Sequence, residues 1–222
     1  MSSAARRRPR RSLPALLLTA GLLAAGCGTS AEGATDGHDH TAGAPAVVEG
    51  PEDRYAGIDL PESYRKPTFT LTDTTGAPYD FRAETAGRPT LLFFGYTNCP
   101  DICPSTMADV AVALRKLDRS LVEQMQVVFV STDPATDTPE VLGEYLGRFD
   151  ADLATSFVGL TGDQGAIEQA QLSAGVVMAE DEGRLHSTLL LLYGTDDEAH
   201  VAFDAGNTAD DIVEDLRLVT GA

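Results

Sequence analysis

The chain has 222 residues, with 16 lysines and arginines against 34 aspartates and glutamates and a formal charge of −18. Arg6, Arg7, Arg8, Arg10 and Arg11 all fall in the first 26 positions, which hold no acid, so the remainder has 11 basic and 34 acidic residues, or −23. Such acidity excludes a phosphate-backbone binder and disfavours docking on anionic lipid by charge, while 43% apolar residues suffice for one packed domain and the absence of Trp excludes mechanisms that need an indole.

The basic cluster is followed by an apolar run from Leu13 to Ala25 and then by Ala24-Ala25-Gly26-Cys27. At 1.5 Å per residue this run is too short for about 30 Å of hydrocarbon and suits the core of a cleaved signal peptide. Small residues directly before Cys27 resemble a bacterial lipobox, with Ala24 where Leu is usual and Leu23 one place earlier. The expectation is a signal peptide over 1–26 and a lipidated Cys27. The domain then works at the cell membrane on the extracytoplasmic face, where thiols oxidise unless they are kept reduced or occupied.

Residues 27–63 read as the lipidated cysteine and a flexible tether, rich in Gly, Ala, Ser, Thr, Pro and acids. His38 and His40 are spaced to pick up a metal weakly, although a solvated linker is the plainer reading. The folded domain is expected over 64–222. Phe69–Asp73 alternates like a strand, and Thr75-Gly76 and Ala77-Pro78 mark a turn. Thr90–Tyr96 is a continuous apolar run, as in a central strand covered on both faces. Met107, Val110, Ala111, Leu114 and Leu117 recur at helical spacing, and Val127–Ser131 is a second buried strand. Pro139 opens a helix to about Arg148, and Asp163 caps another to about Gln171. Ser187–Tyr193 is a third strand, Ala199–Phe203 an edge strand, and Ala209–Val219 a last helix. Strands alternating with helices, then a hairpin and a terminal helix, imply an α/β domain of thioredoxin-like fold, a central mixed sheet flanked by helices.

Cys99 and Cys103 lie between a buried strand and a helix N-terminus, in Tyr96-Thr97-Asn98-Cys99-Pro100-Asp101-Ile102-Cys103-Pro104. Unpaired amides and the helix dipole there lower a thiol's pKa. Residues four apart on a helix share a face, so two sulfurs can reach one small ion or each other. A structural disulfide would close only about five residues and contribute roughly 2 kcal/mol, a poor use of a crosslink. Thiolates suit Cu(I), while structural Zn(II) wants four protein ligands. A lone histidine is more often a surface residue. His186, however, heads the strand that faces the cysteine loop in a thioredoxin-like sheet, which favours a third ligand; His200 reads as surface.

The cysteine segment resembles the C-P-x-x-C-P signature of the SCO/SenC family of copper chaperones. Val130-Ser131-Thr132-Asp133-Pro134-Ala135-Thr136-Asp137-Thr138-Pro139-Glu140, with Tyr145 and Phe149, is similar to that family's V-S-x-D-P-x-x-D-T-P-E block. Leu185-His186-Ser187 resembles its D-H-S/T segment, with Leu185 where Asp is often found. The resemblance implies copper, as Cu(I) or Cu(II), held by Cys99, Cys103 and His186. It also implies delivery to the copper A centre of cytochrome c oxidase, through subunit II or a similar copper acceptor. Membrane attachment through a lipid on Cys27 is expected from the lipobox, and no nucleic-acid partner is expected from the charge.

Asp137 reads as a cap for the helix that opens at Pro139; Asp133 follows the second central strand and is a candidate to support the ligands. Asp101 reads as facing solvent or a partner. The alternative function is a thiol–disulfide oxidoreductase that reduces the acceptor's cysteines, with Cys99 attacking and Cys103 resolving. A thiol peroxidase fits badly: Tyr96 stands where a peroxiredoxin-like site has Thr or Ser, and a glutathione-peroxidase-like site needs Trp.

Overall fold

A computed structural model describes residues 54–176 and 188–222. Among these residues eight strands form one sheet: β1 (Ile58–Arg65), β2 (Thr70–Asp73), β3 (Pro78–Asp80), β4 (Thr90–Gly95), β5 (Gln126–Ser131), β6 (Phe157–Thr161), β7 (Leu190–Tyr193) and β8 (Glu198–Phe203). Six helices flank it: α1 (Phe81–Thr85), α2 (Ile102–Arg115), α3 (Arg119–Val122), α4 (Pro139–Asp150), α5 (Gln164–Ser173) and α6 (Ala209–Thr220). The strand order is β1-β8-β7-β4-β5-β6-β2-β3. β4, β5 and β6 run parallel, and every other pairing is antiparallel. This mixed sheet between helical layers is the thioredoxin-like arrangement expected from the sequence.

Period-two alternation along the apolar runs explains why helices cover both faces. Leu91, Phe93, Val127, Phe129, Leu190 and Leu192 meet α2, α4 and α6 on one face. Leu92, Phe94, Val128, Val130, Leu191 and Tyr193 meet Phe81 of α1 and Ile167 of α5 on the other. All six residues of β4 are buried. Pro78 falls in β3 at the sheet edge, where a missing N–H leaves no ladder bond unmade.

The folded part begins earlier than residue 64. Strand β1 runs over Ile58–Arg65, so its first six residues fall in the stretch expected to be tether, and it pairs with β8. β8 is therefore an interior strand, not the expected edge. Asp215, fully buried in α6, accepts the Ala56 and Gly57 amides at 2.9 and 2.8 Å and fixes the approach to β1. Lys66, its side chain wholly buried, donates to the carbonyls of Thr85 and Arg88 at 2.6 and 2.7 Å and to Asp197 at 2.9 Å. That ties the end of β1 to the β7–β8 turn. β6 was not expected at all. β7 starts at Leu190 among the described residues, later than the expected Ser187, which lies outside them.

Candidate metal centre

β4 ends at Gly95, and the chain turns through Tyr96-Thr97-Asn98-Cys99 into α2, with the Cys99 amide donating to the Tyr96 carbonyl at 3.2 Å. Asp101 precedes α2 in the cap position but makes no side-chain cap bond. The Cys99 sulfur does that work instead, accepting the Cys103 amide at 3.4 Å. Cys103 lies in the first turn of α2, one residue inside the helix. The two thiols are unbridged; Cys99 is partly exposed and Cys103 fully buried. The Cys103 thiol donates to the Cys99 sulfur, which places both within reach of one small ion.

The two sulfurs differ electrostatically. Burial works against ionising Cys99, but the Cys103, Asp101 and Ile102 amides and the Cys103 thiol outweigh it and hold its pKa below the ordinary thiol value. Burial pushes Cys103 far up, and the charges of Cys99 and Asp137 add to the rise. Iodoacetamide is therefore expected to modify Cys99 but not Cys103 in the folded chain. The rate should rise through a midpoint below that of an unperturbed thiol. Peptide mapping across pH checks this; equal labelling of both cysteines would contradict it.

Asp137 does not cap α4. Thr138 does, accepting the Val141 amide at 3.3 Å, with Pro139 in the first turn. Asp137, fully buried, turns under the cysteine loop. It accepts the Thr97 amide at 3.0 Å, the Thr97 hydroxyl, and the Ser131 hydroxyl at 2.7 Å. One carboxylate thus joins the segment before Cys99 to the end of β5. Asp133 begins the turn between them: its amide donates to Ser131 Oγ at 3.1 Å and its carbonyl accepts the Thr136 and Asp137 amides. Tyr145, buried on α4, packs between Phe129 and Phe149, and its hydroxyl has no hydrogen-bond partner among the described residues.

Sequence reasoning missed Gly95. A Cβ there would stand 2.9 Å from Cys103 Sγ and 2.8 Å from the Phe93 ring, so the buried sulfur occupies the space that glycine leaves. A glycine closing an apolar strand next to the cysteine loop was the available signal. His200 is part-exposed and pairs with Asp196 at 3.2 Å, as a surface residue would. His186, Cys27, His38 and His40 lie outside the described residues.

The sequence profile of the SCO1/SenC family matches residues 60–221, nearly the whole of this domain. The chain belongs to the SCO1/SenC family. A Stutzerimonas stutzeri protein named for copper binding is 38% identical over 144 residues, which cover 62% of this chain and 68% of that protein. Yeast mitochondrial SCO2 and SCO1 are longer, and the chain covers 30% and 36% of them. Among solved structures, copper-bound ScoI of Bradyrhizobium japonicum is 30% identical, covers 70% of this chain and 99% of its own, and superposes with a TM-score of 0.58. BsSco, described as a Sco-family cytochrome c oxidase assembly protein with a disulfide switch, is 25% identical, with coverages of 73% and 96% and a TM-score of 0.59.

Proposed function

We propose that this SCO1/SenC chain is a copper-binding protein of cytochrome c oxidase assembly. In this reading it holds copper through Cys99, Cys103 and His186 and delivers it to the copper A centre on oxidase subunit II. The observation that carries the reading is the sulfur pair: one ionisable thiol at an accessible rim, hydrogen-bonded to a second buried beneath it. Two soft donors at that separation suit Cu(I), and a single imidazole completes a low-coordinate site. The copper-bound ScoI relative supports the choice of metal.

Delivery proceeds by ligand exchange. An acceptor thiolate adds at the open side of the ion, then displaces the protein ligands in turn, so copper is never free. Lipidation at Cys27 holds the domain at the extracytoplasmic face of the membrane, and the tether lets it search for a membrane-fixed acceptor at high effective concentration. His38 and His40 lie on that tether, and Asp133, just past the end of β5, is the residue proposed to support the ligands.

Anaerobic mixing of the Cu(I)-loaded chain with the reduced soluble copper A domain of an oxidase tests this. Copper should move to the acceptor at a rate that rises with the concentration of both proteins. A rate independent of acceptor concentration would mean that copper dissociates first, and would overturn the exchange mechanism.

The asymmetry of the thiols favours one further reading, reduction of the acceptor's cysteines. The Cys99 thiolate attacks an acceptor disulfide and one acceptor sulfur leaves as a thiol. Cys103 then attacks Cys99, the second acceptor sulfur leaves, and a Cys99–Cys103 disulfide holds the two-electron deficit. The partly exposed, acidified thiol is the one that attacks, and the buried, basic thiol is the one that resolves.

A further inference from the structure

Beside the cysteine loop, between the first turns of α2 and the connection from β8 to α6, lies a cleft of about 130 Å³. An engineered cavity of roughly 150 Å³ holds a benzene ring, so the cleft has room for one side chain. Its floor is apolar, made by Leu190, Phe203 and Ile212. Its walls carry Asp101, Asp109 and Asp204, and among the described residues no lysine or arginine lines it.

The three carboxylates are differently occupied. Asp204 gives one oxygen to the Gly206 amide at 2.7 Å. Asp101, between the two cysteines in the chain, makes no cap bond to α2. Asp109 is partly buried and has neither a hydrogen bond nor an ion pair among the described residues; burial alone raises its pKa. A carboxylate partly withdrawn from water and without a partner is compensated when a cation enters. An anion would be repelled, and a neutral apolar group would fill the floor but leave the walls unpaired. A side chain with an aliphatic stem and a cationic head satisfies both, and a planar guanidinium can serve two carboxylates at once.

We propose that this cleft receives an arginine side chain of the protein that exchanges copper or electrons with Cys99, and so sets the orientation in which that partner docks. The identity of the partner rests on the function proposed above. The cleft begins at Asp101, two residues from Cys99, so an arginine seated there brings neighbouring partner residues to the rim sulfur.

The test is a titration of the ¹⁵N-labelled full chain, free of copper, with Nα-acetyl-arginine amide, followed by amide shifts. Saturable shifts are expected at Ser105, Asp109, Leu190 and Ile212. The neutral isostere Nα-acetyl-citrulline amide should bind at least about fivefold more weakly. Asp109→Asn should weaken arginine binding by a similar factor. Asp118→Asn, the same charge change beyond the far end of α2, should not. No saturation, equal affinity for citrulline, or equal loss in both variants overturns the proposal. Because no copper is present, failure here leaves the copper reading standing, and loss of the copper reading leaves these shifts unchanged.

Discussion

Asp137→Ala is expected to lower the stability of the domain by about 3 kcal/mol or more. The carboxylate is fully buried and accepts three hydrogen bonds, from the amide and hydroxyl of Thr97 and from the hydroxyl of Ser131. Truncation leaves three donors without an acceptor, and each loses a charge-assisted bond. For a domain of this size the loss corresponds to a fall in Tm of about 6–12 °C. The loop before Cys99 loses its tie to β5, and Cys103 loses one of the negative charges that raise its pKa. Cys103 should therefore become easier to ionise while the fold weakens. Asp137→Asn keeps the shape and one acceptor oxygen but turns an NH₂ group toward donors, so it should fall between the two. Thermal unfolding with alkylation mapping checks both effects; a change below about 1 kcal/mol for Asp137→Ala would show that the three bonds do not hold the loop.

Gly95→Ala is the second large effect, and it acts by volume. The added Cβ meets Cys103 Sγ at 2.9 Å and the rings of Phe93 and Phe129 at 2.8 and 3.1 Å. None of the three is a free end that can swing away: the sulfur sits in the first turn of α2, and both rings lie in the core beneath it. Overpacking a close-packed site of this kind costs about 1–3 kcal/mol. The displaced atom is one of the two sulfurs. Copper affinity should fall along with stability, whereas a core substitution on the opposite face of the sheet, such as Ile167→Val in α5, should lower stability alone. Unfolding and Cu(I) competition on both variants make the comparison. Unchanged stability in Gly95→Ala would show that the sulfur has room to move.

Much of the fold was legible because the central strands carry their own signal. Thr90–Gly95 and Gln126–Ser131 are largely apolar runs, as strands covered on both faces require. The helices α2, α4 and α6 followed from spacing and, for α4, from Pro139 at its start. β1 was hidden because its eight residues include Pro, Asp and Glu and pair with β8 through an irregular register, so no alternation survives. β6 was hidden because Gly159 interrupts a run of only five residues. The missing Cβ there lets Leu146 and Leu142 of α4 close onto the sheet.

The site was legible in its sulfurs and not in its supports. Two cysteines four apart at the start of a helix carry a physical meaning through their spacing alone. Asp137 and Thr138 are both good cap residues side by side, and spacing cannot say which one the helix takes. Tertiary context decides: Thr138 caps, and Asp137 is released to the loop. Gly95 likewise gains its role only when the buried sulfur is brought against it.

The most direct measurement is an anaerobic Cu(I) competition titration of the full chain beside Cys99→Ser, Cys103→Ser and His186→Ala, with X-ray absorption of the bound copper. The native chain should bind one Cu(I) with two sulfurs and one nitrogen in its shell. Removing a partner of a metal ligand costs 10–100-fold, so losing either sulfur should cost more than about 100-fold. His186→Ala should weaken binding and remove the nitrogen from the shell. Native affinity and an unchanged shell in His186→Ala, or tight binding that survives loss of either cysteine, would contradict a copper site built from these three residues.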